Sequence, residues 1–212
     1  MIFGPLFRTG FMIEYFMRRE GWFSAEQVVM TSASSKTAMG TASVVRAKSP
    51  HVRRIGLTSS ANVVFVQASG FYDTVLSYEE ISSVAQATSV SVDFAGNSEL
   101  LHRIHSVLGG NLKYSCTVGA THVGKGFGQA NGPLPGPAPV LFFAPDHIIA
   151  AMKELGPKAF GDDVAASWRT FLDDVGGALR IDERKGLEAA RDAFADTLAG
   201  RADPAVGIVV RP

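Results

Sequence analysis

Much that would place this chain in a class at once is absent from it. It has one cysteine, Cys116, which excludes an intramolecular disulfide framework and leaves any zinc site in need of histidine or carboxylate ligands. A reducing compartment, the cytoplasm, is the expectation. Net charge is absent too: 20 basic residues balance 20 acidic ones, which argues against a nucleic-acid footprint or a polybasic membrane surface. Long apolar runs are missing. In MIFGPLFRTGFMIEYFMRRE, Arg8 and Glu14 interrupt the apolar residues and no small-residue cleavage signature follows, so neither a signal peptide nor a membrane span is read there.

What is present is an ordinary globular composition, 46% hydrophobic over 212 residues, enough for one sizeable core. Strand-like and helix-like segments alternate. QVVMTS (27–32), RRIGLT (53–58), DTVLS (73–77), VSVDF (90–94), KYSCTVG (113–119) and PVLFFA (139–144) read as strands. Helices are expected at 34–48, 60–68, 79–86, 99–108 and 186–198, with a helical region over 147–175 broken near Gly156, Pro157 and Gly161, and a last strand at 205–210. Nearly all-apolar strands separated by helices predict a doubly wound, Rossmann-like α/β fold: a mostly parallel sheet with helices on both faces. Residues 24–212 form that domain, with 1–23 as an attached helical segment. There Phe3, Phe7 and Phe11 recur every fourth residue, although Gly4, Pro5 and Gly10 weaken a helix before Phe11. Either this aromatic stretch packs on the domain's own core, or it is a surface made to receive another domain.

The first strand-to-helix turn, within QVVMTSASSKTAMG, has serines, a lysine and a threonine where a nucleotide-binding turn normally has glycines. Ser32, Ser34, Ser35 and Thr37 offer hydroxyls and Lys36 a charge, the chemistry of anion binding at a helix N-terminus. The same serines are good helix caps, and from the stretch alone both readings stand. A Walker A loop is excluded, since Met30 and Ser35 occupy its glycine positions. At the end of the second strand, LTSSAN (57–62) has no acidic residue to bind a ribose 2′-hydroxyl; neutral hydroxyls and an amide tolerate a 2′-phosphate better, which favours NADP over NAD.

Taken in order, VVMTSASSKTAMGTASVVRA, RRIGLTSSANVVFVQASGFYDTVLSYEEI, VSVDFAGNSELLHRI and YSCTVGATH resemble the cofactor domain of the medium-chain dehydrogenase/reductase superfamily, on its quinone-oxidoreductase side. SASSKTA, GATH and PGPAPVLFFAP look like an uncharacterised branch known as a domain of unknown function. The resemblance runs from about Pro5 to Val210. It implies an NADP-binding, zinc-independent oxidoreductase-like domain acting on a small carbonyl or enone, with no metal. The family's GroES-like catalytic domain has no counterpart here, and PLFRTGFMIEYFM is similar to the linker helix that follows it, as in a truncated member. Carried over, the pyrophosphate turn is Ser32, Ala33, Ser34, Ser35, Lys36, Thr37 and Ala38, and the ribose or 2′-phosphate contacts are Ser59, Ser60 and Asn62. Asp93, Ala95 and Gly96 lie at the fourth strand's end. Gly119, Ala120, Thr121 and His122 fall near the nicotinamide, and Phe143, Ala144 and Pro145 near its carboxamide. A homodimer through the sixth strand is a further implication. The rival is a non-enzymatic binding or scaffolding module that has lost the cofactor.

His122 is the candidate proton donor, against a solvated or capping histidine. Asp146 and His147 follow the sixth strand and are candidates to face the cleft. His102 and His105 are spaced like metal ligands, but Leu101, Ile104 and Leu108 mark that helix's buried face and predict both histidines on the exposed side. Cys116 reads as a small core residue.

Overall fold

A computed structural model describes residues 3–118 and 134–212 of the chain. The chain opens with α1 (Gly4–Arg19), β1 (Gln27–Met30), α2 (Lys36–Lys48), β2 (Arg53–Thr58), α3 (Val63–Ala68) and β3 (Thr74–Ser77). Then come β4 (Ser89–Asp93), α4 (Ser98–Leu108), β5 (Leu112–Thr117), β6 (Val140–Leu141), α5 (Ala144–Leu155) and α6 (Pro157–Val175). The chain ends in β7 (Arg180–Lys185), α7 (Gly186–Leu198) and β8 (Val206–Arg211).

The first six strands make one parallel sheet in the order β3-β2-β1-β4-β5-β6. The order reverses between β1 and β4, so the crevice of a doubly wound sheet lies at their carboxyl ends. Alternation along the strands feeds two cores. Val28 and Met30 of β1 and Val90 and Val92 of β4 pack with α1, α2, α5 and α6. Val29, Ile55 and Leu57 point the other way, to Leu100, Ile104 and Leu108 of α4. This is the doubly wound fold expected from the apolar strands.

Several local expectations give way to packing. Gly4, Pro5 and Gly10 do not delay α1. Pro5 sits in the first turn, where its missing N–H costs nothing, and Gly10 faces α2 so closely that a Cβ would stand 2.7 Å from the Thr41 nitrogen. Phe7 and Phe11 are buried, against Phe171 and Trp168 and against Phe160. The aromatic stretch thus packs on the domain's own core. Gly161 lies inside α6 without breaking it, and residues 78–83 form 3₁₀ turns in place of an α-helix.

Between α1 and β1, Gly21, Trp22, Phe23 and Ser24 all take left-handed backbone angles, with φ of 57°, 52°, 52° and 59°. Three of these are non-glycine residues, for which the conformation is costly. Tertiary contacts hold them there: the Trp22 indole donates to Ser49 Oγ at 2.9 Å, and the Phe23 ring stacks on Tyr114 at 4.3 Å. Ser49 in turn donates to Glu14 Oε1 at 2.8 Å, and Glu14, wholly buried in α1, is also paired with Arg18.

The histidine expectation on α4 is half wrong. His105 is fully buried, its two ring nitrogens 2.8 Å from Ser115 Oγ of β5 and 2.8 Å from the Pro135 carbonyl. Burial pushes its pKa down. The buried stripe of α4 takes in Leu100 and His105 beside Leu101, Ile104 and Leu108, wider than the apolar residues alone mark it. β7 (RIDERK) has no apolar signature; it pairs in parallel with β8 alone, as a separate two-stranded sheet.

Candidate functional site

The turn after β1 is held by groups from two neighbouring strands. The Ala33 N–H donates to the Leu57 carbonyl of β2 at 3.0 Å, and the buried Tyr72 hydroxyl donates to the Ala33 carbonyl at 2.9 Å. Ser32 stands at φ 45°, the left-handed region that glycine usually fills, and its N–H donates to the Tyr78 hydroxyl at 3.2 Å. Burial pushes the Tyr78 pKa up. The Ser35 hydroxyl accepts from Ala38 N–H at 3.2 Å as the N-cap of α2. Within the described residues, no acceptor takes the N–H groups of Ser34, Lys36 and Thr37. Those of Lys36 and Thr37 are orphan donors in the first turn of α2, at the positive end of its dipole, and that of Ser34 lies just before the cap.

Ser34 and Lys36 border a cavity of about 540 Å³. Ser32, Ser34, Ser35 and Lys36 line one side, and Thr58, Ser59 and Asn62 from the end of β2 line another, with Tyr78 below. The Asn62 amide donates to Ser34 Oγ at 3.2 Å, joining the two sides. The far wall is the C-terminal segment from Thr197 to Ile208. Lys36 bridges to it: its ammonium donates to the Pro204 carbonyl at 2.6 Å and the Val206 carbonyl at 3.2 Å. Burial pushes the Lys36 pKa down, and Asp203 partly opposes this. Phe3 lies under the ammonium and against Gly207, where a Cβ would meet its ring at 2.6 Å.

The residues expected from sequence divide accordingly. Ser32, Ser34, Ser35, Lys36, Ser59 and Asn62 meet at the cavity, with Ala33 and Thr37 in the turn behind them. Ser60 is one step outside, its hydroxyl 2.8 Å from a Glu79 carboxylate oxygen. Asp93 is buried, and its carboxylate accepts from Thr31 Oγ1 at 2.6 Å and from the Ala95 and Gly96 N–H groups, which shapes the turn after β4. Phe143 and Ala144 lie past β6 at the sheet's far edge, away from this cavity. His147 stacks on Phe142 at 4.2 Å inside an aromatic group with Phe16, and burial pushes its pKa down. Gly119, Ala120, Thr121 and His122 lie outside the described residues. Sequence reasoning missed Tyr78, Glu79 and the C-terminal wall. Among the described residues no three His, Cys, Asp or Glu side chains cluster to hold a metal ion, and no helix is long and apolar enough to cross a membrane.

A family model described as "Protein of unknown function (DUF2855)" matches residues 1–203. The chain belongs to this family. No curated protein matches the sequence. Among solved structures, this DUF2855 member is similar to CurA of Vibrio vulnificus in complex with NADPH, with 16% identity, a TM-score of 0.59, and 93% of this chain and 61% of that one covered. It is similar to a putative NADPH:quinone reductase of Mesorhizobium loti, with 14% identity, a TM-score of 0.61, and coverage of 98% and 58%. The third is YhdH of E. coli K-12 with bound NADPH, with 12% identity, a TM-score of 0.57, and coverage of 96% and 61%. At such identities the likeness is one of fold, and it agrees with the expected resemblance to a quinone-oxidoreductase-like cofactor domain. The DUF2855 chain spans only 58–61% of the length of these three proteins.

Proposed function

We propose that the chain is the NADP-binding domain of an oxidoreductase, of the zinc-independent kind that reduces a small enone, quinone or other carbonyl with NADPH. One observation carries the reading: Ser34 and Lys36, whose N–H groups have no acceptor among the described residues, line a cavity of about 540 Å³ beside an ammonium group. Backbone donors, a helix dipole and a lysine together suit a pyrophosphate. Ser59, Ser60 and Asn62 then take the adenosine ribose and its 2′-phosphate. The bound cofactor supplies the hydride, and the chain's own residues hold and orient it. Similar folds crystallised with NADPH support the choice of cofactor.

The same reading assigns Gly119, Ala120, Thr121, Phe143 and Ala144 to the nicotinamide end, with His122 as proton donor to the reduced substrate. Residues 1–23 join the domain of residues 24–212 to a GroES-like catalytic domain, which forms part of the substrate pocket, and the protein works in the cytoplasm. The coverage of about three fifths of the similar structures supports that division. Saturable NADPH binding by the folded chain, followed by nucleotide fluorescence or calorimetry, is the expected result. No binding by a chain with a cooperative melt refutes the reading and leaves the scaffolding module in its place.

A homodimer through the β6 edge belongs to the same proposal. Val140 and Leu141 of that edge strand, with Phe143 beyond it, expose 46%, 57% and 58% of their surface, an apolar edge that a second sheet would cover. Light scattering that finds only monomer at high protein concentration removes it.

A further inference from the structure

The adenosine end of the cavity is less neutral than its own strand suggests. LTSSAN carries no acid, yet the chain after β3 brings Glu79 to it, and Ser60 Oγ donates to Glu79 Oε2 at 2.8 Å. Glu79 follows Tyr78, which lines the cavity, and Ser60 follows Ser59, which also lines it, so this contact forms the rim between the ends of β2 and β3. The carboxylate is exposed, and its own N–H with the hydroxyls of Ser60 and Ser77 holds its pKa below the ordinary value, so it is charged at neutral pH.

Among the described residues no cation pairs with that carboxylate. The neighbouring Glu80 accepts from Ser77 N–H and Ser77 Oγ, both at 2.9 Å, as a capping box. Arg103, on α4, is near enough to act on Glu79, but it donates to the Tyr78 carbonyl at 2.8 Å. Among the described residues the cavity's only basic lining residue is Lys36, at the opposite, α2 side. A 2′-phosphate here meets hydroxyls, an amide and one fixed negative charge, whereas a free ribose diol meets a ready hydrogen-bond acceptor.

We infer that Glu79 is a specificity-determining residue, which narrows the margin by which the site prefers a dinucleotide with a 2′-phosphate over one with a free ribose diol. The inference rests on the dinucleotide reading above. Removing the charge relieves repulsion of the phosphate and leaves the Arg103 field unopposed, while a diol loses no more than one acceptor.

The experiment is titration of the full chain and its Glu79→Gln variant with NADPH and with NADH at low and at 0.5 M salt. Glu79→Gln should tighten NADPH by about three- to tenfold at low salt, leave NADH unchanged or weaker, and show a smaller gain in high salt. Glu80→Gln is the control: it removes the neighbouring charge while its amide oxygen can still accept from Ser77 in the capping box, and the NADPH to NADH ratio should stay unchanged. An unchanged ratio in Glu79→Gln, in a chain that binds NADPH and melts cooperatively, overturns the inference alone. Failure of the parent chain to bind either nucleotide overturns the dinucleotide reading, and this inference with it.

Discussion

Lys36→Met is the substitution that asks most of the site. Methionine keeps most of the stem over Phe3 and removes the ammonium that joins α2 to the Pro204 and Val206 carbonyls. A hydrogen bond to a charged group is worth about 1.5–3 kcal/mol where water is excluded. Solvent reaches this partly buried cavity wall and restores part of the loss, so both bonds together come to about 1–3 kcal/mol. At about 2–4 °C per kcal/mol for a chain of this length, the melt should fall by about 2–12 °C. An ammonium has three donors, and two are spent on carbonyls, which leaves one for a ligand phosphate. Losing that bond and the charge should weaken NADPH by roughly tenfold, or about 1.4 kcal/mol. Differential scanning fluorimetry and an NADPH titration on the same samples read the two effects separately. An unchanged melting temperature refutes the bridge between α2 and the C-terminal wall. An unchanged NADPH affinity refutes the phosphate contact, and if both stay unchanged Lys36 has neither role.

Two further substitutions test the packing that holds the turn. Gly10→Ala puts a methyl group 2.7–2.9 Å from main-chain atoms of Thr41 and Thr37 that have no room to yield, so the α1 to α2 contact should loosen by about 1–3 kcal/mol, seen as a lower urea midpoint with an unchanged slope. Burial raises the Glu14 pKa against the opposing pull of Arg18 and Ser49, so in the window between the ordinary value of about 4.5 and its raised folded value the native chain binds more proton there than the unfolded chain does. The stability it contributes is therefore present at low pH and lost as pH climbs from about 4.5 through the folded value, and Glu14→Gln should flatten that fall in urea midpoints measured from pH 5 to pH 8.

The sheet was legible because its central strands are short apolar runs that must be buried on both faces, and β1, β2, β4 and β5 fall within a residue or two of where the sequence puts them. Segment order then carried the topology, through resemblance more than through any motif. What the sequence hid is tertiary in origin. The partner carbonyl of Lys36 lies 168 residues further along the chain, and a charged segment such as RIDERK becomes a strand only because β8 is there to pair with it. Tyr78 and Glu79 escaped notice because a residue after one strand can serve a turn after another, and single-strand rules do not look sideways. His105 shows a converse limit: a polar side chain joins a core when Ser115 and a carbonyl meet both of its ring nitrogens.

The glycine-poor turn can be argued the same way. Glycine ordinarily does two things there: it permits a left-handed backbone, and it lets the backbone come close to its neighbours. In this chain the two tasks are separated. Ser32 takes the left-handed conformation at φ 45° with the Tyr78 hydroxyl on its N–H, so a side chain from beyond β3 offsets the strain. Closeness comes from β2, where a Cβ on Gly56 would stand 2.9 Å from the Tyr72 ring and 3.0 Å from Ala33 Cβ. The missing glycine thus reappears beneath the turn, on the neighbouring strand, where Ala33 and Tyr72 pack directly against it. Ser35 has become a helix cap, which leaves the main-chain donors of Ser34 and Lys36 without an acceptor among the described residues, at the cavity's edge. Anion binding at such a turn depends on those N–H groups more than on the serine hydroxyls, so replacing glycines by serines alters how the turn is built while its donors still open on the cavity.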